Sequence, residues 1–183
     1  MSPAPRSIRR PLRARLGIIA RADLGGLAAQ TWEARRHLQP VETLIIDMGQ
    51  VRGALVPEVV APIWPGEHVQ VVDRSWLDEH GRAWLDELDV VFSCEGLYTA
   101  RFAAHCHETT ARVVVQVNPE LYDDSELGGL DLVVPTTWEQ DRVPGARLLP
   151  VPVARDRLPF RLRTEAHVFC HTCAPAMRDR AGT

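Results

Sequence analysis

The sequence lacks lysine altogether. Its 21 basic residues are all arginine, and they are outnumbered by 24 acidic residues, which gives a formal net charge of -3. A slightly acidic chain has no overall electrostatic reason to bind nucleic acid or an anionic membrane. Arginines do cluster near the start, at positions 6, 9, 10 and 13. We expect residues 1–14 to be a basic, flexible tail, with contact to phosphate or anionic lipid as the alternative.

Long apolar runs and abundant cysteine are lacking as well. The apolar stretch after the first arginines is short and is interrupted by Arg21 and Asp23. It is too poor for a secretion signal and too short to cross a bilayer. The 4 cysteines are therefore expected to be reduced thiols, and we predict a cytoplasmic protein. A composition of 45% hydrophobic and 25% charged residues is typical of a globular fold.

The segment from Arg15 to Leu38 organises the rest of the chain. It predicts a strand over 16–19, a loop containing Gly25 and Gly26, and a helix from Leu27 to Leu38. Free backbone N–H groups at such a helix start favour an anion, typically a phosphate. The loop is neither G-x-G-x-x-G nor a Walker motif, so a plain tight turn is the alternative.

Apolar and helical segments alternate along the remaining sequence. We predict strands over 43–47, 69–72, 89–93, 111–117, 131–134, 147–149 and 167–170. Ser75, with Asp78, is predicted to cap a helix that runs to Leu88, and further helices are expected over 98–106 and after Thr136 or Thr137. This alternation predicts an α/β fold with a Rossmann-like parallel sheet and helices on both faces.

The predicted elements divide the chain into four parts. A Rossmann-like domain over 15–153 follows the tail, and an arginine-rich linker with Pro159 covers 154–166. A strand and loop over 167–183 are then expected to begin a second Rossmann-like domain that is truncated. Ligands of such sheets lie beyond the carboxyl ends of the strands. That rule selects four places, 23–26, 94–96, Asn118 and 136–138.

Four segments in this order resemble a known family. They are LGGLAAQTWEARRHLQP at 24–40, DVVFSCEGLY at 89–98, PTTWEQDRVPGARLLPVPVARDRLPFR at 135–161 and APAMRDRAGT at 174–183. The pattern is similar to the N-terminal half of a GT-B glycosyltransferase that uses nucleotide sugars. The resemblance implies two Rossmann-like domains across a cleft, with the acceptor held mostly by the first and the donor mostly by the second. Ala181 departs from the Asn that family members often have there.

The resemblance assigns candidate roles to individual residues. Gly25, Gly26, Arg180 and Gly182 would approach the donor diphosphate, where negative charge grows as the sugar leaves. Glu95 would orient or deprotonate an acceptor hydroxyl; a helix N-terminal acid paired with the dipole is the alternative.

Further polar and aromatic residues carry weaker predictions. Asn118 is a sugar ligand or an Asn-Pro turn, and Thr137 is a ligand contact or a plain N-cap. Trp32 and Trp138 are candidates for stacking on sugar, and the alternative for Trp32 is packing in the core or across the domain cleft. No Asp-x-Asp motif is present, so dependence on a divalent metal stays open, as do the sugar, the acceptor and the stereochemistry. No cofactor is expected besides the nucleotide sugar, which is a substrate.

Two other functions compete with the transferase. One is a non-catalytic Rossmann-like binding or assembly domain that forms a homo-oligomer through its open cleft face. The other is a zinc-stapled module built from the clusters 105–107 (His-Cys-His) and 170–173 (Cys-His-x-Cys). Neighbouring residues of a helix or strand point in different directions, which argues against zinc and for cysteines that pack in the core.

Overall fold

The computed structural model describes residues 14–21, 26–47 and 68–151. In chain order the elements are β1 Leu16–Arg21, α1 Gly26–Leu38, β2 Glu42–Asp47, β3 Val69–Asp73, α2 Arg74–Asp86, β4 Val90–Cys94, α3 Ala100–Glu108, β5 Arg112–Gln116, a 3-10 helix Pro119–Leu121, α4 Asp124–Leu127, β6 Asp131–Val134, α5 Thr137–Gln140 and β7 Arg147–Leu148. All strands predicted within these ranges are present, with ends that differ by at most two residues.

The seven described strands form one open sheet in the order β3-β2-β1-β4-β5-β6-β7. Every neighbouring pair is parallel. The predicted Rossmann-like α/β class is therefore confirmed. The strand order runs outward in both directions from the centre, so that β1 and β4 lie side by side although they are far apart in sequence. This is the position where the strand order of such a sheet reverses.

Helices cover both faces of the sheet, as the alternating pattern predicted. On one face, α2 and α3 bury Leu77, Leu85 and Phe102 against β-branched residues of the strands. On the other face, α1 contributes Ala34 and the partly buried Trp32 to a smaller cluster. Strand residues alternate between the two clusters because successive side chains of a strand point to opposite faces.

The contact between α2 and α3 depends on a glycine. A Cβ at Gly81 would lie 2.6 Å from Cδ2 of Phe102, which is fully buried. Trp84 also packs on the Phe102 ring, with centroids 6.4 Å apart. Glycine at position 81 therefore allows the two helices to approach closely enough to bury this phenylalanine.

Two helices begin at residues other than those predicted. Ser75 is not a cap, since α2 begins at Arg74 and its N-cap is Asp73, whose carboxylate accepts from the Trp76 N–H at 2.7 Å. β3 continues to Asp73, and this extended conformation is the one an N-cap requires. The helix expected from residue 98 begins at Ala100 instead, with Thr99 as its N-cap.

The chain divides into two compact units, Met1–Pro152 and Val153–Thr183. All of the described residues belong to the first unit. The predicted tail up to residue 13, the linker and the strand at 167–170 lie outside the described residues, so the domain boundaries stay predictions. Within the described ranges, no helix has both the length and the apolar character that a membrane span requires.

Candidate functional site

The candidate site lies at the carboxyl ends of β1 and β4. In the register of these strands, Ile19 stands opposite Ser93. Two residues further along, the same register places Arg21 beside Glu95. Because the strands are parallel, both side chains reach the edge of the sheet where Rossmann-like folds bind ligands.

The loop after β4 has an unusual backbone. Glu95 and Tyr98 both have positive φ angles, 78° and 68°. Only a few per cent of non-glycine residues adopt this left-handed region, and two in one four-residue stretch indicate a loop held by its surroundings. Residues of this kind persist only where the surrounding structure over-determines them, and they cluster at functional sites.

Hydrogen bonds within the loop hold this conformation. The Ser93 hydroxyl donates to the carbonyl oxygen of Gly96, and the Tyr98 hydroxyl donates to the carbonyl oxygen of Cys94. Both bonds close the loop back onto the last two residues of β4. The side chains that follow the strand are therefore fixed relative to the sheet.

The Glu95 side chain is held by Arg21, the last residue of β1, and by Asn118, which lies two residues beyond β5. Its Oε2 lies 3.1 Å from Nη1 of Arg21, and its Oε1 accepts from Nδ2 of Asn118 at 3.0 Å. The backbone N–H of Glu95 donates to the carbonyl oxygen of Gln116 at 2.8 Å. Only 11% of the carboxylate side chain is exposed, against 30% for Arg21. Each oxygen thus has a partner at a defined position, and the carboxylate is oriented before any ligand arrives.

A cavity of about 720 Å³ opens beside this carboxylate. Its walls are Arg21, Glu95, the loop Gly96–Ala100, one side of α3 as far as His107, and residues within Asp123–Leu127. This volume falls in the range typical of small-molecule sites. The cavity therefore connects the ends of the central strands with the groove between α3 and α4.

The far end of the cavity is polar. Nε2 of His107 lies 2.8 Å from the carbonyl oxygen of Glu126. Asp123 caps α4, accepting from the N–H and the hydroxyl of Ser125. The Ser125 hydroxyl hydrogen bond lowers the pKa of the Asp123 carboxyl, so this group is a hydrogen-bond acceptor at neutral pH. Hydroxyl groups of a ligand would find fixed partners here.

The structure brings together two of the predicted site residues, Glu95 and Asn118. Gly26 is the first residue of α1, at the same edge of the sheet. Thr137 is exposed and is the first residue of α5, whereas the N-cap is Thr136, which forms a capping box with Glu139. Thr137 lies outside the cavity lining.

The other predicted site residues, Gly25, Arg180 and Gly182, lie outside the described residues. The two candidate tryptophans differ in environment. Trp32 packs against the α1-side core, while Trp138 is 61% exposed and carries the guanidinium of Arg142 at 4.6 Å from its ring centroid.

Burial makes the two described cysteines poor nucleophiles and poor metal ligands. It raises the pKa of both the Cys94 and the Cys106 thiols to about 12. Cys106 belongs to the core on the α3 face, whereas its neighbour His107 points to the cavity. Across the ranges that the structure covers, no group of three or more His, Cys, Asp or Glu side chains is arranged to hold a metal. The second half of the proposed zinc site, 170–173, lies outside the described residues.

Sequence reasoning missed Arg21 as a member of the site. The predicted strand ended at Ile19, because a charged residue interrupts the apolar run. β1 in fact continues to Arg21, so this side chain stands at the carboxyl end of the strand. One sequence signal could have identified Arg21 as a site residue. Glu95, which carries the opposite charge, follows the end of another predicted strand. Comparison of the sequence with protein-family models and with curated proteins finds no match.

Proposed function

We propose that the described domain is the acceptor-side domain of a GT-B-type glycosyltransferase, which transfers a sugar from a nucleotide-sugar donor to a hydroxyl group. One observation carries the proposal. The Glu95 carboxylate is held by Arg21 and Asn118 at the reversal point of the sheet, where it lines a cavity of about 720 Å³. The order of the four family-like sequence segments supports the same function.

Glu95 would act on the acceptor. A hydroxyl placed in the cavity donates to the carboxylate, which orients the oxygen for attack and accepts its proton as the glycosidic bond forms. General-base action of this kind contributes about 10²–10⁴-fold in rate. Arg21 and Asn118 would serve as positioning residues, since they fix the two carboxylate oxygens.

The donor would approach from the start of α1. Its diphosphate leaving group gains negative charge in the transition state, and backbone N–H groups at Gly25 and Gly26 are the candidates to stabilise it. Arg180 and Gly182 are donor candidates by the family resemblance alone, since both lie outside the described residues. The proposed substrates are thus a nucleotide sugar and a hydroxyl-bearing acceptor, such as a glycan.

Replacement of Glu95 by glutamine tests the proposal. The 183-residue chain is screened on an array of mono- to tetrasaccharides, and the best ligands are titrated by calorimetry. We expect Glu95→Gln to weaken binding by about 10–100-fold, because a hydrogen bond to a charged group contributes about 1.5–3 kcal/mol. Radiolabelled transfer from UDP-, GDP- and ADP-sugars is measured alongside. Because the donor domain is expected to be truncated, we expect this chain alone to show little or no turnover, and saccharide binding is the deciding measurement.

Glu87→Gln is the matched control. Glu87 follows α2 at the amino edge of the sheet, where its side chain is 72% exposed and 3.7 Å from Arg15. Its replacement should leave saccharide binding unchanged. The proposal fails if the chain binds no saccharide, or if Glu95→Gln binds as tightly as the parent chain.

An assembly function has one observation in its favour. Trp138, Leu148 and Leu149 are large apolar residues with 61%, 41% and 43% exposure, on α5 and at the β7 edge of the sheet. Stable dimers in solution, dissociated by Leu148→Asp, together with no saccharide binding, would favour this alternative.

A further inference from the structure

The cavity continues well beyond the proposed reacting centre. From Glu95 it follows α3 past Ala100, Ala103 and Ala104 to His107. The seven helical steps from Ala100 to His107 span about 10 Å at the ~1.5 Å rise per residue of an α-helix. Short alanine side chains line this stretch, so the groove stays open along the helix.

The volume of the cavity exceeds the needs of one sugar ring. A hexose has about 12 non-hydrogen atoms. Even if each atom occupied as much space as one molecule of liquid water, ~30 Å³, the sugar would fill about 360 Å³. The cavity measures about 720 Å³. A single ring at Glu95 would therefore leave about half of this space to water.

His107 provides a fixed hydrogen-bonding group in the distant half. Its Nε2 lies 2.8 Å from the carbonyl oxygen of Glu126, and a carbonyl oxygen can only accept. This contact assigns the proton to Nε2. In the neutral ring Nδ1 then carries the lone pair, and it can accept from a hydroxyl group.

We propose that the acceptor is an extended saccharide of at least two linked rings, which lies along α3 with one ring at Glu95 and the next near His107. This inference rests on the proposed function, because it takes Glu95 as the centre at which the acceptor hydroxyl reacts. It adds the substrate class, an oligosaccharide rather than a single sugar, and it names His107 as the residue that recognises the second ring.

Ala104→Phe tests the length of the acceptor. Ala104 is exposed on α3 and lines the cavity between Glu95 and His107, so a phenyl group there fills the groove without entering the core. The control is Ala83→Phe, since Ala83 is exposed on α2 and lies outside this cavity. Affinities for one- to four-ring saccharides of the same linkage are measured by calorimetry for each variant.

We expect the parent chain to bind two-ring saccharides at least 10-fold more tightly than the corresponding single ring. Ala104→Phe should abolish this preference, so that one-ring and two-ring saccharides bind with about equal affinity, whereas Ala83→Phe should keep it. His107→Ala should lower the preference too, and His107→Asn, which retains a side-chain acceptor, should restore part of it.

The results separate this inference from the function on which it rests. Equal affinity for one and two rings, or an undiminished preference in Ala104→Phe, overturns the extended acceptor while binding at Glu95 stands. In that case Glu95→Gln still weakens both ligands. Absence of any saccharide binding by the parent chain overturns the proposed function and the extended acceptor together.

Discussion

The left-handed backbone at Glu95 allows the strain of the candidate site to be measured. Glu95→Ala and Glu95→Gly remove the same carboxylate, and with it the same contacts to Arg21 and Asn118. The two variants differ in how well they tolerate a φ of 78°. Glycine adopts this region about as readily as negative φ, whereas alanine does not. The difference in stability between the variants therefore isolates the backbone.

The expected magnitude follows from two opposing effects. A non-glycine residue in a sparsely populated region costs about 1–3 kcal/mol. Glycine avoids this cost but loses about 0.4–1 kcal/mol through the greater freedom of the unfolded chain. We expect Glu95→Gly to be about 1 kcal/mol more stable than Glu95→Ala.

Urea unfolding, followed by circular dichroism, measures the difference. For an m-value of about 1–3 kcal/mol/M, a difference of 1 kcal/mol moves the midpoint by about 0.3–1 M. The thermal midpoint should move by about 2–4 °C for a chain of this length. Tyr98→Gly and Tyr98→Ala, at a φ of 68°, repeat the comparison at the second strained position.

Glu87 supplies the control pair. Its φ of -87° is right-handed, so there glycine should be less stable than alanine by about 0.4–1 kcal/mol. If glycine is no better than alanine at position 95, the loop is not strained in solution. Backbone strain would then give no support for a functional site at this loop.

Two further predictions concern the core. Gly81→Ala should lower the free energy of unfolding by about 1 kcal/mol, because overpacking against Phe102 costs about 1–3 kcal/mol and better helix propensity returns about 1; an unchanged urea midpoint would contradict the close packing. The raised thiol pKa values of Cys94 and Cys106 mean that the folded chain keeps protons that the unfolded chain releases near pH 9. The contribution of the two thiols to stability should therefore be constant below about pH 9 and fall between about 9 and 12, by about 1.4 kcal/mol per pH unit for each thiol. A Cys94→Ala, Cys106→Ala double variant should flatten this alkaline slope in urea titrations.

The sequence predicted the sheet well because its signal is local. β2, β5 and β6 are short apolar runs bounded by polar residues, and this pattern is visible without knowledge of any contact. Alternation of strands with helices was sufficient to predict a parallel sheet covered on both faces.

The site was predicted only in part, because its decisive features are not local. Arg21 was taken as a turn residue, and its place in β1 makes sense only with Glu95, which is 74 positions away. The left-handed conformation was equally hidden, since Gly96 is the residue that sequence would select for it. It falls instead on Glu95 and Tyr98, on either side of that glycine.

Stability alone gives a poor reason for a glutamate at position 95. Its backbone conformation favours glycine, and its carboxylate is largely removed from water to meet Arg21. A partly buried ion pair often returns little more than its desolvation cost, so the pair does not by itself compensate for the strain. Oriented by Asn118 and placed against a cavity that extends to His107, the carboxylate has a use that folding does not explain. This imbalance, more than the fold, is what favours a role for Glu95 in binding the acceptor.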